Sequence, residues 1–181
     1  MYIARRLLTS TVTHFMIRKI SDVPETLQQA RSDPQTAYAA ILKLAQSDDW
    51  GEREVAATLL VEAGKKHASA IVDEMMRWAD DENPNVRRTA SEGLRGITGK
   101  NPDLVLPVLN KLRADENLYV KKSVANVLRN AGNYHPEFVL DTCRQWSEDK
   151  NVNTAWIIKD GLRKLKKSYP EEVDRILKIS K

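Results

Sequence analysis

Two stretches of the chain nearly repeat each other. WADDENPNVRRTASEGL begins at Trp78, and LRADENLYVKKSVANVL begins at Leu112. In both, an apolar residue leads into Ala-Asp or Arg-Ala-Asp, then an acid and Asn. Val, two cations, a small residue and Ala follow. Val86 and Val120 set the period at 34 residues. WGEREVAATLL, from Trp50, extends the plan upstream. Ser147-Glu148-Asp149-Lys150-Asn151 with AWIIKDGL extends it downstream, with about two extra residues. A unit this short cannot bury an apolar face alone, so neighbours must stack into a solenoid.

The pattern inside each unit is helical. Leu104, Val105, Val108, Leu109 and Leu112 recur at helix spacing, as do Val120, Val124, Val127, Leu128 and Ala131. Pro34, Pro102 and Pro136 stand where first helices would begin, and Gly64, Gly99 and Gly132 read as C-caps. No alternating strand pattern bounded by turn residues is present. The reading is an all-α solenoid of antiparallel pairs at 34–47/50–63, 69–81/84–97, 102–114/118–131 and 136–147/152–167. A short helix at 22–31 precedes them and one at 170–179 follows.

Composition closes off several functions. No stretch approaches ~18 consecutive apolar residues, so no membrane span is expected. The lone Cys143 excludes an internal disulfide and a cysteine-cluster metal site. His14, His67 and His135 are too scattered for a histidine site, so no metal is expected. No Gly-rich phosphate loop or Ser-His-Asp arrangement is found. Residues 1–21 contain no acid and carry Arg5, Arg6, Arg18 and Lys19, a composition like that of a mitochondrial presequence. Met16 begins MIRKISDVPE, which reads as a natural start. We therefore read 1–21 as an N-terminal extension, either a presequence or residues upstream of a start at Met16, and 22–181 as the repeat domain. The expected location is the cytoplasm, at the nucleoid if the chain is bacterial.

The net charge of +4 hides a segregation. First helices with their turns are acidic: residues 69–82 hold five acids against Arg77, and 136–149 hold four against Arg144. Second helices are basic: Arg87, Arg88 and Arg95 against Glu92, then Lys121, Lys122 and Arg129 with no acid, then Lys159, Arg163, Lys164, Lys166 and Lys167 against Asp160. Cations gather at helix C-termini for dipole reasons. That does not account for Arg87–Arg88 and Lys121–Lys122, which sit in first turns. If the second helices line the inner curve, stacking produces a basic stripe suited to a phosphate backbone.

RWADDENPNVRRTASEG, YVKKSVANVL, HPEFVLDTCRQW and AWIIKDGLRKL, in that order over roughly residues 50–168, resemble the HEAT-like-repeat DNA alkylation repair glycosylases. AlkC is the nearer branch and AlkD the more distant one. The resemblance implies a right-handed, curved superhelix of HEAT-like pairs whose concave face cradles duplex DNA. It also implies cofactor-free hydrolytic removal of N3- or N7-alkylated bases. GEREVAATLL places Glu54 on a family Glu, the catalytic candidate. In Ser123-Val124-Ala125-Asn126-Val127-Leu128-Arg129-Asn130, Val127 replaces the family His and Asn130 the family Asp. A neutral amide can neither act as base nor counter an oxocarbenium by charge. After Ser91-Glu92-Gly93 the family's Pro-Trp element is missing.

The phosphate contacts expected are Arg87, Arg88, Lys121, Lys122, Arg129, Lys159 and Arg163. Trp50, Tyr119 and Trp156 are the aromatic candidates for the concave edge. Trp78 and Trp146, ending first helices, are expected in the core, and Cys143 as buried packing. Glu54 is also explicable as a first-turn acid favoured by the helix dipole. The function expected is duplex DNA binding with weak or no glycosylase activity. The alternatives are an active alkylpurine glycosylase and a HEAT scaffold taking an acidic protein partner into the groove.

Overall fold

The structure, a computed structural model, describes residues 17–180. Of the extension expected at 1–21, residues 1–16, including the start expected at Met16, lie outside the described residues, while Ile17 and Ile20 pack against the core. The chain forms α1 (Pro24–Ser32), α2 (Tyr38–Ala45), α3 (Trp50–Gly64), α4 (Ala68–Trp78), α5 (Pro84–Glu92), α6 (Arg95–Thr98), α7 (Pro102–Leu112), α8 (Leu118–Ala131), α9 (Pro136–Ser147), α10 (Val152–Gly161) and α11 (Pro170–Ile179). There is no strand among the described residues. The helices pair antiparallel and stack into a right-handed, curved HEAT-like superhelix.

The second helices α3, α5, α8 and α10 each start at a side-chain cap: Asp49, Asn83, Asn117 and Asn151. Each accepts hydrogen bonds from first-turn N–H groups, which are otherwise unpaired. These caps stand 34 residues apart throughout (83 − 49, 117 − 83 and 151 − 117). The last unit therefore has no insertion, contrary to the two extra residues expected. Thr154 takes the place of Val86 and Val120 and donates its hydroxyl to the Arg113 carbonyl at 3.0 Å, which disguises the motif.

The same register carries a row of leucines. Leu60, Leu94, Leu128 and Leu162 are all fully buried at the junction of successive pairs. Gly93 and Gly161 lie against two of them. A Cβ at Gly93 would sit 2.8 Å from Leu60, and one at Gly161 would sit 3.0 Å from Leu128. These glycines correct two expected helices. The helix expected at 84–97 stops at Glu92 and resumes at Arg95, and the one expected at 152–167 stops at Gly161 before a 3₁₀ turn at Leu165–Lys167. In α8 the same position is Val127, and the helix runs unbroken to Ala131. Glycine weakens a helix interior, and here the leucine contact requires it.

Two other expectations change. The helix expected from Pro34 begins as a 3₁₀ turn, Pro34–Thr36, with α2 starting at Tyr38. No described glycine has positive φ, so Gly99 and Gly132 close their helices in the right-handed conformation and the chain turns onward without an αL cap. Trp78 and Trp146 are buried in the core as expected, their indole N–H groups donating to Glu74 and Asn110 at 2.7 Å. Cys143 is buried as well, which raises its thiol pKa and keeps it unreactive.

The second helices pack more closely on one another (α5 on α8, α8 on α10) than the first helices do. In a curved stack the closer row is the inner one. The basic helices therefore line the concave side.

Candidate nucleic-acid interface

Two adjacent cations open α5 and α8, and the helix sends them in different directions. Arg87 turns into the joint between units. It donates to Asp115 at 2.6 Å, and its Nη1 donates to the carbonyls of Asp81 and Glu82, both at 2.9 Å. Arg53, 34 residues earlier, donates likewise to the Ser47 carbonyl at 2.7 Å. Lys121, at the same register, donates to Asn153 at 2.9 Å and lies 5.7 Å from the Trp156 ring. At 53 and 87 this register position meets carbonyls of the turn between first and second helix, and at 121 it meets the side-chain amide of Asn153 in the next second helix. Of the phosphate contacts expected, Arg87 and Lys121 are thus engaged within the protein.

Arg88 and Lys122, one residue on, face the concave side. They line a cleft of about 520 Å³ with Trp50, Tyr119, Glu92 and Arg129. Trp50 and Tyr119 are 68% and 63% exposed, so the cleft carries two aromatic surfaces at its rim. Lys122 stands 5.6 Å from the Tyr119 ring. Arg129 also reaches the cleft but is held by Asp160 and by Asn126, the latter at 3.2 Å. Positions 88, 92 and 95, and again 122, 126 and 129, fall on one face by i, i+4, i+7 spacing.

Glu92 is not among the site residues expected from the sequence, where it stands only in the charge balance of its helix and in Ser91-Glu92-Gly93. It lies buried at the cleft, where burial pushes its carboxyl above the ordinary 4.5. Arg95 and Arg88 pull in the opposite direction, and Glu54 adds to the rise. Arg95 joins the two carboxylates, reaching Glu92 at 3.3 Å and Glu54 at 3.1 Å. Glu54 is therefore tied to an arginine at the edge of the cleft, not among its lining residues. Asn130 does not line it either. The signal that could have found Glu92 is its placement four residues after Arg88 on the inward face.

A carboxyl whose folded pKa is raised contributes stability below its unfolded value and loses it as pH rises through the folded value. At neutral pH the charged Glu92 is a liability. Glu92→Gln is expected to raise the melting temperature at pH 7, with the difference from the parent shrinking toward pH 4. Equal melting temperatures at pH 7 would contradict this.

Lys159, Arg163 and Trp156 gather at the C-terminal end of the concave row. Lys159 and Trp156 line two adjoining hollows between α10 and α11. Arg163 is mostly exposed, 3.6 Å from Asp160. His67 and His135 precede α4 and α9 and reach back to the carbonyls of Arg31 and Gly99, each at 3.1 Å. Among the described residues, no group of three metal-binding side chains occurs and no helix is long and apolar enough to cross a membrane.

Antiparallel pairs on a 34-residue register, with a basic inner row, define a HEAT-like solenoid. Residues 23–129 match the HEAT repeats family, more than half of the chain, and the chain belongs to that family. Its solenoid is of the AlkC/AlkD type. It is similar to the Pseudomonas fluorescens alkylpurine DNA glycosylase AlkC bound to DNA containing an abasic site analog. The two are 28% identical with a TM-score of 0.70, over 84% of this chain and 43% of that one. It is also similar to AlkD2 from Streptococcus mutans, at 25% identity and a TM-score of 0.59, over 80% of this chain and 67% of that one. The chain thus spans less than half the length of the AlkC chain. No curated protein matches it.

Proposed function

We propose that this protein binds duplex DNA along its concave face and has weak or no glycosylase activity. The observation that carries this reading is the cleft across α3, α5 and α8. Arg88 and Lys122 project into it without an ion-pair partner among the described residues, between the exposed rings of Trp50 and Tyr119. Cations placed for phosphates beside flat apolar surfaces suit a nucleic acid. The similar AlkC structure holds DNA, which supports the same partner here. The weak-catalysis part rests on Asn130 standing where an acid is expected and on Glu54 being paired with Arg95.

Every cation withdrawn from a phosphate takes close to one unit off the salt slope of binding. Arg88→Ala with Lys122→Ala is expected to weaken duplex binding alike on all sequences and to flatten the slope by about 2. A fluorescence-anisotropy titration at ~50 and ~200 mM salt measures this. No binding by the parent protein at ~50 mM salt would end the DNA reading.

The buried Glu92 favours one second reading, removal of cationic alkylated bases. A carboxylate in a low-dielectric cleft can stabilise an oxocarbenium as it forms. Release of alkylated purines by the parent protein, abolished by Glu92→Gln or Glu54→Gln, would replace weak catalysis with real catalysis.

A further inference from the structure

The concave row stops at α10 among the described residues, although the first-helix row goes on from α9 to α11. Each of α3, α5 and α8 is covered by the next second helix, while the corresponding face of α10 is open. Two adjoining hollows of about 670 and 350 Å³ lie there, sharing Trp156, Lys159, Lys166 and Leu177 in their walls. Val152, at the edge, is 81% exposed.

The 34-residue register shows what this face is built to receive. The position that meets the next helix is Ala57, Ser91 and Ala125 in the first three units, all small and buried. In α10 it is Lys159, exposed and with no ion-pair partner among the described residues. A further ordinary repeat helix would drive its apolar contact into that ammonium. An end cap made only for solubility would be polar throughout, yet Val152, Trp156 and Leu177 remain uncovered or partly so. Lys178 at the far wall adds a further cation, and the two carboxylates in the walls are already paired, Asp174 with Lys166 at 2.8 Å and Asp160 with Arg129.

We propose that this groove docks an acidic amphipathic helix of a partner protein, laid alongside α10 as the next member of the inner row. Its apolar residues cover Val152, Trp156 and Leu177, and its carboxylates meet Lys159 and Lys178. The pairing has a precedent one unit earlier, where Arg129 of α8 is matched by Asp160 of α10. A phosphate backbone would use the lysines but gain nothing from the apolar floor.

The probe is a synthetic helical peptide with leucines at i, i+3, i+4 and i+7 and glutamates on both flanks. Its control carries lysines in place of the glutamates. Titrated against the full chain, the glutamate peptide is expected to bind saturably and the lysine peptide not. Lys159→Glu is expected to weaken binding by at least about tenfold. Val152→Ser, at an exposed position that keeps the fold, is expected to weaken it as well, and Arg88→Ala with Lys122→Ala to leave it unchanged while reducing DNA binding. Absence of saturable binding, or binding indifferent to both groove variants, overturns the proposal. So does displacement of the peptide by a short DNA duplex whose own affinity falls with Lys159→Glu and ignores Val152→Ser. That result would make the groove part of the phosphate track.

Discussion

Arg87→Ala is expected to lower the free energy of unfolding by about 3 kcal/mol, while duplex binding by the folded protein stays close to that of the parent. The arginine side chain is 22% exposed and its partner Asp115 only 7%. Truncation leaves a buried carboxylate without its cation, and it strips the carbonyls of Asp81 and Glu82 of a donor. The cost of an orphaned buried charge exceeds the net worth of the intact pair, so the single variant falls hard. Asp115→Ala should therefore cost less in the Arg87→Ala background than alone, a coupling that a double-mutant cycle reads directly. Arg88→Ala, one residue away, should leave stability almost untouched and weaken DNA binding. Urea denaturation and anisotropy on the parent, Arg87→Ala and Arg88→Ala proteins separate the roles. Loss of DNA affinity by Arg87→Ala with an unchanged urea midpoint would make Arg87 a phosphate contact after all.

Leu128→Ala is expected to cost about 4 kcal/mol, toward the upper part of the usual range for a buried leucine. The side chain is fully buried, and across it lies Gly161, whose missing side chain leaves nothing to swing into the space. Cavity cost rises when the surroundings cannot collapse. The chain is a stack of neighbours, so the damage falls on the joint between α8 and α10. A midpoint shift in urea worth less than ~1.5 kcal/mol would mean that α10 settles onto α8 and fills the gap.

The helices were legible because local rules act alone there. Asn83, Asn117 and Asn151 cap helices by their own side chains, and leucines at helix spacing mark the buried stripe. The inner basic row was legible too, since charge follows the second helices. The division of labour between Arg87 and Arg88 was not, because it depends on Asp115 in the following unit and on carbonyls of the turn between α4 and α5. The breaks at Gly93 and Gly161 were hidden for a related reason. A glycine in a helical pattern is neutral to read until its neighbour is known, and the neighbour is a leucine one unit away. Glu92 is not singled out by the sequence, which shows it only as one acid among the cations of its helix and as the middle of Ser91-Glu92-Gly93. Its burial, set by the units on either side, is what makes it distinctive.

The close packing of α3, α5 and α8 has a mechanical consequence. An array held together only between nearest neighbours opens from its ends, so amide exchange should be fastest in α1 and α11 and slowest near the middle. The cleft bounded by Trp50, Arg88 and Lys122 spans three of those successive helices. A stiff duplex lying across it would act as a splint. It would tie together units that otherwise fray one after another, and its binding energy would appear as a sharper, more concerted unfolding transition.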